Sequence, residues 1–166
     1  MGMSVIISAA EAEDAEQILK LQYLGYQPEA ELYGDWAIKP LTQSLESLRA
    51  ELAERHFLVA RLGDEVVGTV RGHVDEDGVA RIGRLVVHPR MQRHGLGGRL
   101  LDALERRLAE EGPVSGYRLF TGHRSLGNLR LYARQGYRQT RVEQVDNRLS
   151  LVHLEKPVAP ALAATA

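Results

Sequence analysis

The chain has 166 residues, 44% hydrophobic and 26% charged, which is enough for one domain with a substantial core. A net charge of -1 excludes a global basic field for nucleic acid, so no nucleic-acid partner is expected. The absence of cysteine excludes disulfides, thiolate nucleophiles and thiolate metal sites, in keeping with a reducing cytoplasm.

Val5 to Ser8 reads as a first strand. Its apolar run is too short for a signal peptide, and no run approaches the roughly 20 residues of a membrane span. Ser8 and Glu11 suggest a capping box before a helix carrying Ala15, Ile18, Leu19 and Gln22 on one side. Gly25 and Pro28 read as the end of that helix, and Tyr26 to Pro40 as a long loop with Tyr33 and Trp36. Leu41, Leu45, Leu48 and Leu52 follow at helical spacing. Strands are expected at His56–Leu62, Val66–Val74 and Val79–His88, separated by Gly63-Asp64 and Asp77-Gly78 and stopped by Pro89. From Gly95 the period becomes helical, with Leu96, Leu100, Leu101, Leu104 and Leu108 on one face and Gly112-Pro113 as the stop. Tyr117–Thr121 reads as a strand, and Asn128–Gln135 as a short helix closed by Gly136. Tyr137–Val145 and Arg148–Leu154 read as a hairpin around Asp146-Asn147. The Ala/Pro-rich end lacks periodicity, which sets a domain over 1–156 and a disordered tail over 157–166.

The most informative segment runs from Leu85 through Val86, Val87, His88 and Pro89 to a glycine-rich turn at Gly95, Gly97 and Gly98 that opens a helix. Unpaired N–H groups at a helix start, reinforced by the helix dipole, favour an anion. Gly95 and Gly97 admit close approach to the backbone, and Arg93 and Gln92 add side-chain donors. The third glycine of a dinucleotide fingerprint is missing, as is the Gly-Lys-Ser/Thr of a P-loop.

Val87-His88-Pro89 followed by Gln92-Arg93-His94-Gly95-Leu96-Gly97 and Leu100-Leu101 resembles the coenzyme A pyrophosphate motif of GNAT N-acetyltransferases. Asn128-Leu129-Arg130-Leu131-Tyr132 with Gly136-Tyr137 resembles that family's second motif. The resemblance covers roughly Val5 to Glu155. It implies a single α/β (α+β) domain with a mixed, mostly antiparallel sheet, a splayed parallel strand pair and about four helices. It further implies acetyl-coenzyme A as co-substrate, no metal, and direct transfer of the acetyl group to a primary amine. Leu85, Val86, Val87, Gln92, Arg93, His94, Gly95, Leu96, Gly97, Gly98 and Asn128 would bind the coenzyme, with the strand backbone at Leu85 and Val87 pairing with the pantetheine arm. Tyr132 would be the general acid for the departing thiolate.

The alternative is a non-catalytic acyl-coenzyme A-binding or regulatory module. Relatives often hold a base where this chain has Arg81 and Gly83, and arginine does not serve as a base. His73 and His123 are the candidates left, beside deprotonation through water. Arg71, Arg81, Arg84 and Arg124 border the expected cleft, where they suit an acceptor carrying carboxylate or phosphate. The Tyr26–Pro40 segment falls where an acceptor lid would lie. The acceptor is expected to be a small molecule or peptide amine, in the cytoplasm and away from membranes, with a homodimer possible in this family.

Overall fold

The computed structural model describes residues 4–158. Seven strands form one sheet: β1 (Val5–Ala9), β2 (His56–Leu62), β3 (Glu65–Val74), β4 (Val79–Val87), β5 (Gly116–Gly122), β6 (Arg138–Gln144) and β7 (Ser150–Pro157). Their order is β1-β2-β3-β4-β5-β7-β6, with every pair antiparallel except β4 and β5. That parallel pair is joined by α4 (Leu96–Glu110), the crossover such a pair requires. The remaining helices are α1 (Ala15–Tyr33), the single turn α2 (Lys39–Thr42), α3 (Leu45–Glu54) and α5 (Leu126–Arg134). No helix of the described residues is long and apolar enough to cross a membrane.

Two cores follow from the pleat. Leu100, Leu101, Leu104 and Leu108 of α4 are fully buried against Val70, Ala80 and Ile82 on one face of the sheet. Ile18, Leu21 and Leu48 of α1 and α3 cover Phe57, Val59 and Val86 on the other. Each such side chain contributes about 1.5–3 kcal/mol through burial.

Three expectations are corrected. Helix α1 does not end at Gly25 and Pro28 but runs two further turns to Gly34, whose left-handed backbone (φ 67°) caps it through a bond to Ala30 O. At Gly25 a side chain would collide with Val86 Cγ1 at 2.3 Å, so the glycine marks close helix–sheet packing and not a stop. Pro28 falls on the exposed side, where the carbonyl of Leu24 that it leaves without a partner can turn to water. The expected second helix is broken at the buried Gln43, and α3 is capped by Ser44, whose Oγ accepts from Ser47 N–H at 3.1 Å. Pro157, placed in the tail by the sequence reading, belongs to β7; the remainder of that expectation, residues 159–166, lies outside the described residues.

The entry to α1 is also one turn later than expected. Glu11 N–H bonds to Asp14 Oδ2 at 2.7 Å, and Arg61 Nη1 on β2 donates to Asp14 Oδ1 at 2.7 Å. Arg61 holds the buried Asp14 carboxyl below the usual carboxylate range, and burial opposes it only in part. A depressed folded value means the stabilisation is full above the unfolded value, about 3.9, and is lost as pH falls through the lower folded one. Asp14→Asn should therefore cost about 1.5–3 kcal/mol at pH 7, as a charge-assisted hydrogen bond does. In thermal unfolding followed down to pH 3, that difference from wild type should shrink.

Candidate active site

Strands β4 and β5 pair only at Val79–Gly116, Ala80–Tyr117 and Arg81–Arg118, and then separate. The cause lies in β4. Between Thr69–Val86 and Arg71–Gly83, β3 advances two residues while β4 advances three. The extra residue is accommodated at Arg84, which adopts a left-handed φ of 53°. Such a bulge bends its strand and increases local twist, here carrying the end of β4 off β5. His88 N–H bonds back to Val67 O on β3 at 2.8 Å, so Val87, one residue earlier, turns its N–H and carbonyl to the other side, into the gap. The gap opens into a cleft of about 1000 Å³, at the upper end of the range for ligand sites.

One end of the cleft is the start of α4. Arg99 N–H is the first to find an acceptor behind it, Gly95 O at 3.2 Å, so Leu96, Gly97 and Gly98 N–H precede the helical ladder. Arg93 and Gly95 take left-handed backbone (φ 69° and 74°), and the space a side chain would occupy at Gly95 is open. Gln92 Nε2 reaches Val87 O at 3.2 Å, tying the turn to the strand. Gly98 serves packing instead, since a side chain there would meet Gln135 Nε2 at 2.5 Å. Leu96 is buried and offers only its backbone.

Helix α5 forms one wall. Asn128 lies inside the helix, whose N-cap position is Ser125 and carries no side-chain capping bond, and Asn128 Nδ2 donates to Thr121 Oγ1 at 3.2 Å. Tyr132, one turn on along the same face, is buried, with its ring 6.1 Å from that of Tyr137. No hydrogen bond to its hydroxyl occurs among the described residues, and Tyr132 lines the cleft. Burial pushes this phenol well above the ordinary tyrosine value, and Tyr26 and Glu29 stand near enough to add to the push.

The opposite wall is the part of α1 that the sequence reading treated as a loop. Tyr26, Glu29 and Tyr33 recur at helical spacing and all line the cleft. Tyr33 OH takes a hydrogen bond from Arg124 N–H (3.0 Å) and bonds to Ser125 Oγ (2.8 Å), which donates to Glu29 Oε2 (2.7 Å). A polarised chain thus fixes Glu29, which lines the cleft, and its other oxygen has no hydrogen bond among the described residues. Gly122 makes room for it, since a side chain there would lie 2.0 Å from Tyr33 Oη. Trp36 is exposed and does not line the cleft, so the expected lid reduces to the short connection after Gly34.

The structure brings Leu85, Val86, Val87, Gln92, Arg93, Gly95, Leu96, Gly97, Gly98, Asn128 and Tyr132 to this one cleft, while His94 is exposed and stands outside it. His123 also stands outside; its Nδ1 accepts from Ser150 N–H at 2.9 Å. His73 lines the cleft at its closed end, opposite Arg81, where β4 and β5 are still paired. Its Nδ1 is buried without a partner, and burial with Arg55 and Arg81 lowers its pKa. Arg71, Arg81 and Arg84 line the cleft; Arg124 does not.

A mixed sheet that opens at one parallel pair beside a glycine-rich helix start is the architecture of a class of N-acyltransferases. The chain belongs to the acetyltransferase (GNAT) family, which matches residues 15–137. Its fold superposes on the acetyltransferase of the GNAT family from Streptococcus pneumoniae with a TM-score of 0.78 at 16% identity, covering 94% of this chain and 100% of that one. The PaiA N-acetyltransferase from Thermoplasma acidophilum, solved in complex with coenzyme A, gives 0.76 at 20% identity over 93% and 99%. The ribosomal-protein-S18-alanine N-acetyltransferase from Escherichia coli gives 0.75 at 18% over 98% and 99%. No curated protein matches the sequence.

Proposed function

We propose that this member of the family transfers an acetyl group from acetyl-coenzyme A to a primary amine of a small molecule or peptide. The observation that carries this reading is the gap between β4 and β5, which runs from an anion-ready helix start to an unpartnered tyrosine. The residues present fit the coenzyme. Leu96, Gly97 and Gly98 N–H, the open surface at Gly95, and the Arg93 and Gln92 side chains would hold its pyrophosphate. The free edge of β4 from Leu85 to Val87 would pair with the pantetheine arm, with Asn128 beside it.

Acetyl-coenzyme A supplies the thioester, and the chain supplies the donors and acceptors around it. Val87 N–H, directed into the gap, would receive the carbonyl oxygen as negative charge develops there. Glu29, fixed by Ser125 and Tyr33, would take the proton of the incoming ammonium. As the nitrogen–carbon bond forms and the carbon–sulfur bond breaks, the Tyr132 hydroxyl would give its proton to the leaving sulfur.

Calorimetric titration with coenzyme A and thiol release across an amine panel test the reading together. Binding with amine-dependent release is expected; binding without release from any amine would leave only a coenzyme-binding module. Arg93→Gly, which keeps the left-handed turn but removes the guanidinium, should weaken coenzyme A binding about 5- to 10-fold, as loss of one exposed charge-assisted contact does. The deficit should narrow as salt is raised. Gly97→Val is a poorer probe, because even a Cβ at Gly97 would press on Leu131 Cδ2 at 3.0 Å.

A further inference from the structure

The cleft wall beyond Tyr132 carries more positive charge than the protein answers. On the face of β3 and β4 toward α1 and α3 stand Arg71, His73, Arg81 and Arg84, with Arg55 at the end of α3 beside them. Arg71 is ion-paired with Glu51, and Arg81 Nε with Asp75 at 2.7 Å. Arg84 has no ion pair among the described residues. Its partner is the neutral amide of Gln43, Oε1 at 3.2 Å from Nη1.

That amide is locked. Gln43 Oε1 also accepts from Gln22 at 3.0 Å, and its nitrogen donates to Ser47 Oγ at 3.2 Å and to Glu51. The half-buried guanidinium is thus positioned but not neutralised, an arrangement that costs free energy without a counter-ion. Burial pushes both Arg84 and Arg71 below the usual guanidinium range, and Arg84 adds to the push on Arg71. Arg84 also bears the strain of the bulge (φ 53°), an outlier conformation that calls for a functional explanation. Beside it, Gly83 faces open space, with no atom within 4 Å of the place a side chain would begin. The result is a hollow at Gly83, with Arg84 next to it in the chain and Arg71 across from it on β3.

We propose that this hollow binds a carboxylate of the acceptor, so that the substrate is a small zwitterionic amine of amino-acid type. Its ammonium would lie toward Glu29 and its carboxylate on Arg84. The planar guanidinium fork suits a carboxylate, and the charge of Arg84 is one that no acid among the described residues pairs with. Tyr26, which senses both Arg84 and Glu29 electrostatically, stands near both poles. This rests on the acetyltransferase reading above.

The test compares amino acids, the corresponding amino-acid amides and the corresponding decarboxylated amines by thiol release with acetyl-coenzyme A. Wild type should favour at least one free amino acid over its amide and its decarboxylated amine by tenfold or more in kcat/KM. Arg84→Asn, chosen because asparagine tolerates left-handed backbone, should raise KM for that amino acid about 20- to 100-fold and leave kcat within a few-fold. Its loss with the amide should be at least tenfold smaller than with the amino acid, and an unchanged coenzyme A affinity should show that the variant is folded. Arg84→Lys should recover part of the loss, as a point charge without the fork. Equal or better use of amides or decarboxylated amines by wild type would overturn the inference while leaving the transferase standing. Equal losses for amino acid and amide in Arg84→Asn would overturn it too. Coenzyme A binding with no amine acetylated would sink both.

Discussion

Tyr132→Phe should lower kcat by about 10²-fold, the lower end of general acid catalysis, with the affinity for acetyl-coenzyme A unchanged. The ring stays, so packing against Tyr137 survives, and only a hydroxyl without a protein partner is lost. An interaction made only as charge develops on sulfur lowers kcat and kcat/KM together and spares binding. The upward shift of this phenol fixes the sign of its pH dependence. An acid whose value lies above the ordinary 10 remains protonated through neutral and mildly alkaline solution. No alkaline loss of kcat below about pH 10 should therefore trace to Tyr132. Full turnover by Tyr132→Phe, measured where chemistry limits the rate, would return this residue to a packing role.

Glu29→Gln should reduce kcat/KM at neutral pH by a comparable factor, on the order of 10²-fold. The amide keeps shape and still accepts from Ser125, so the chain through Tyr33 persists while the proton acceptor is gone. Raising the pH should narrow the gap between variant and wild type, because acceptor amine that arrives already deprotonated needs no base. A purely structural Glu29 would give a loss independent of pH. His73→Ala should leave this acid-side behaviour intact, since the imidazole sits at the closed end of the gap with one nitrogen sealed.

Much of the fold can be read along the chain because its signals are local. The Asp77-Gly78 turn, the stop at Pro89 and the leucine spacing of α4 each lie within a few residues of what they determine, and strands β2, β3 and β4 fall where expected. The same is true of the segment proposed to hold the pyrophosphate, one continuous strand–turn–helix. Glu29 is illegible for the opposite reason: what positions it is Ser125, 96 residues away. The available clue was helical continuity, with Gln22, Tyr26, Glu29 and Tyr33 at spacings of four, three and four. Gly25 and Pro28 hide it: close packing on Val86 keeps Gly25 within the helix, and Pro28 is accommodated on the exposed side. Nor does the spacing of strands reveal that β7 lies between β5 and β6, because sequential hairpin strands are the usual neighbours.

That insertion bears on how the molecule is made. The chain leaves the ribosome with β5 able to pair β4 over three residues only, while its other side, Gly116 to Gly122, waits for Leu151 to Pro157. Until those residues emerge, β5 has one side unpaired and β6 has no partner at all, each a template for adventitious pairing. Arg138, Arg141 and Glu143 keep β6 charged along its length through this interval. The wall that holds Tyr33, Ser125 and Glu29 in register hangs on the end of β5, where Gly122 pairs with Leu151 and His123 bonds to Ser150. Synthesis of the last strand is therefore the step that sets the side of the cleft proposed to accept the proton, and it also carries Val152 and Leu154 into the core beside the leucines of α4.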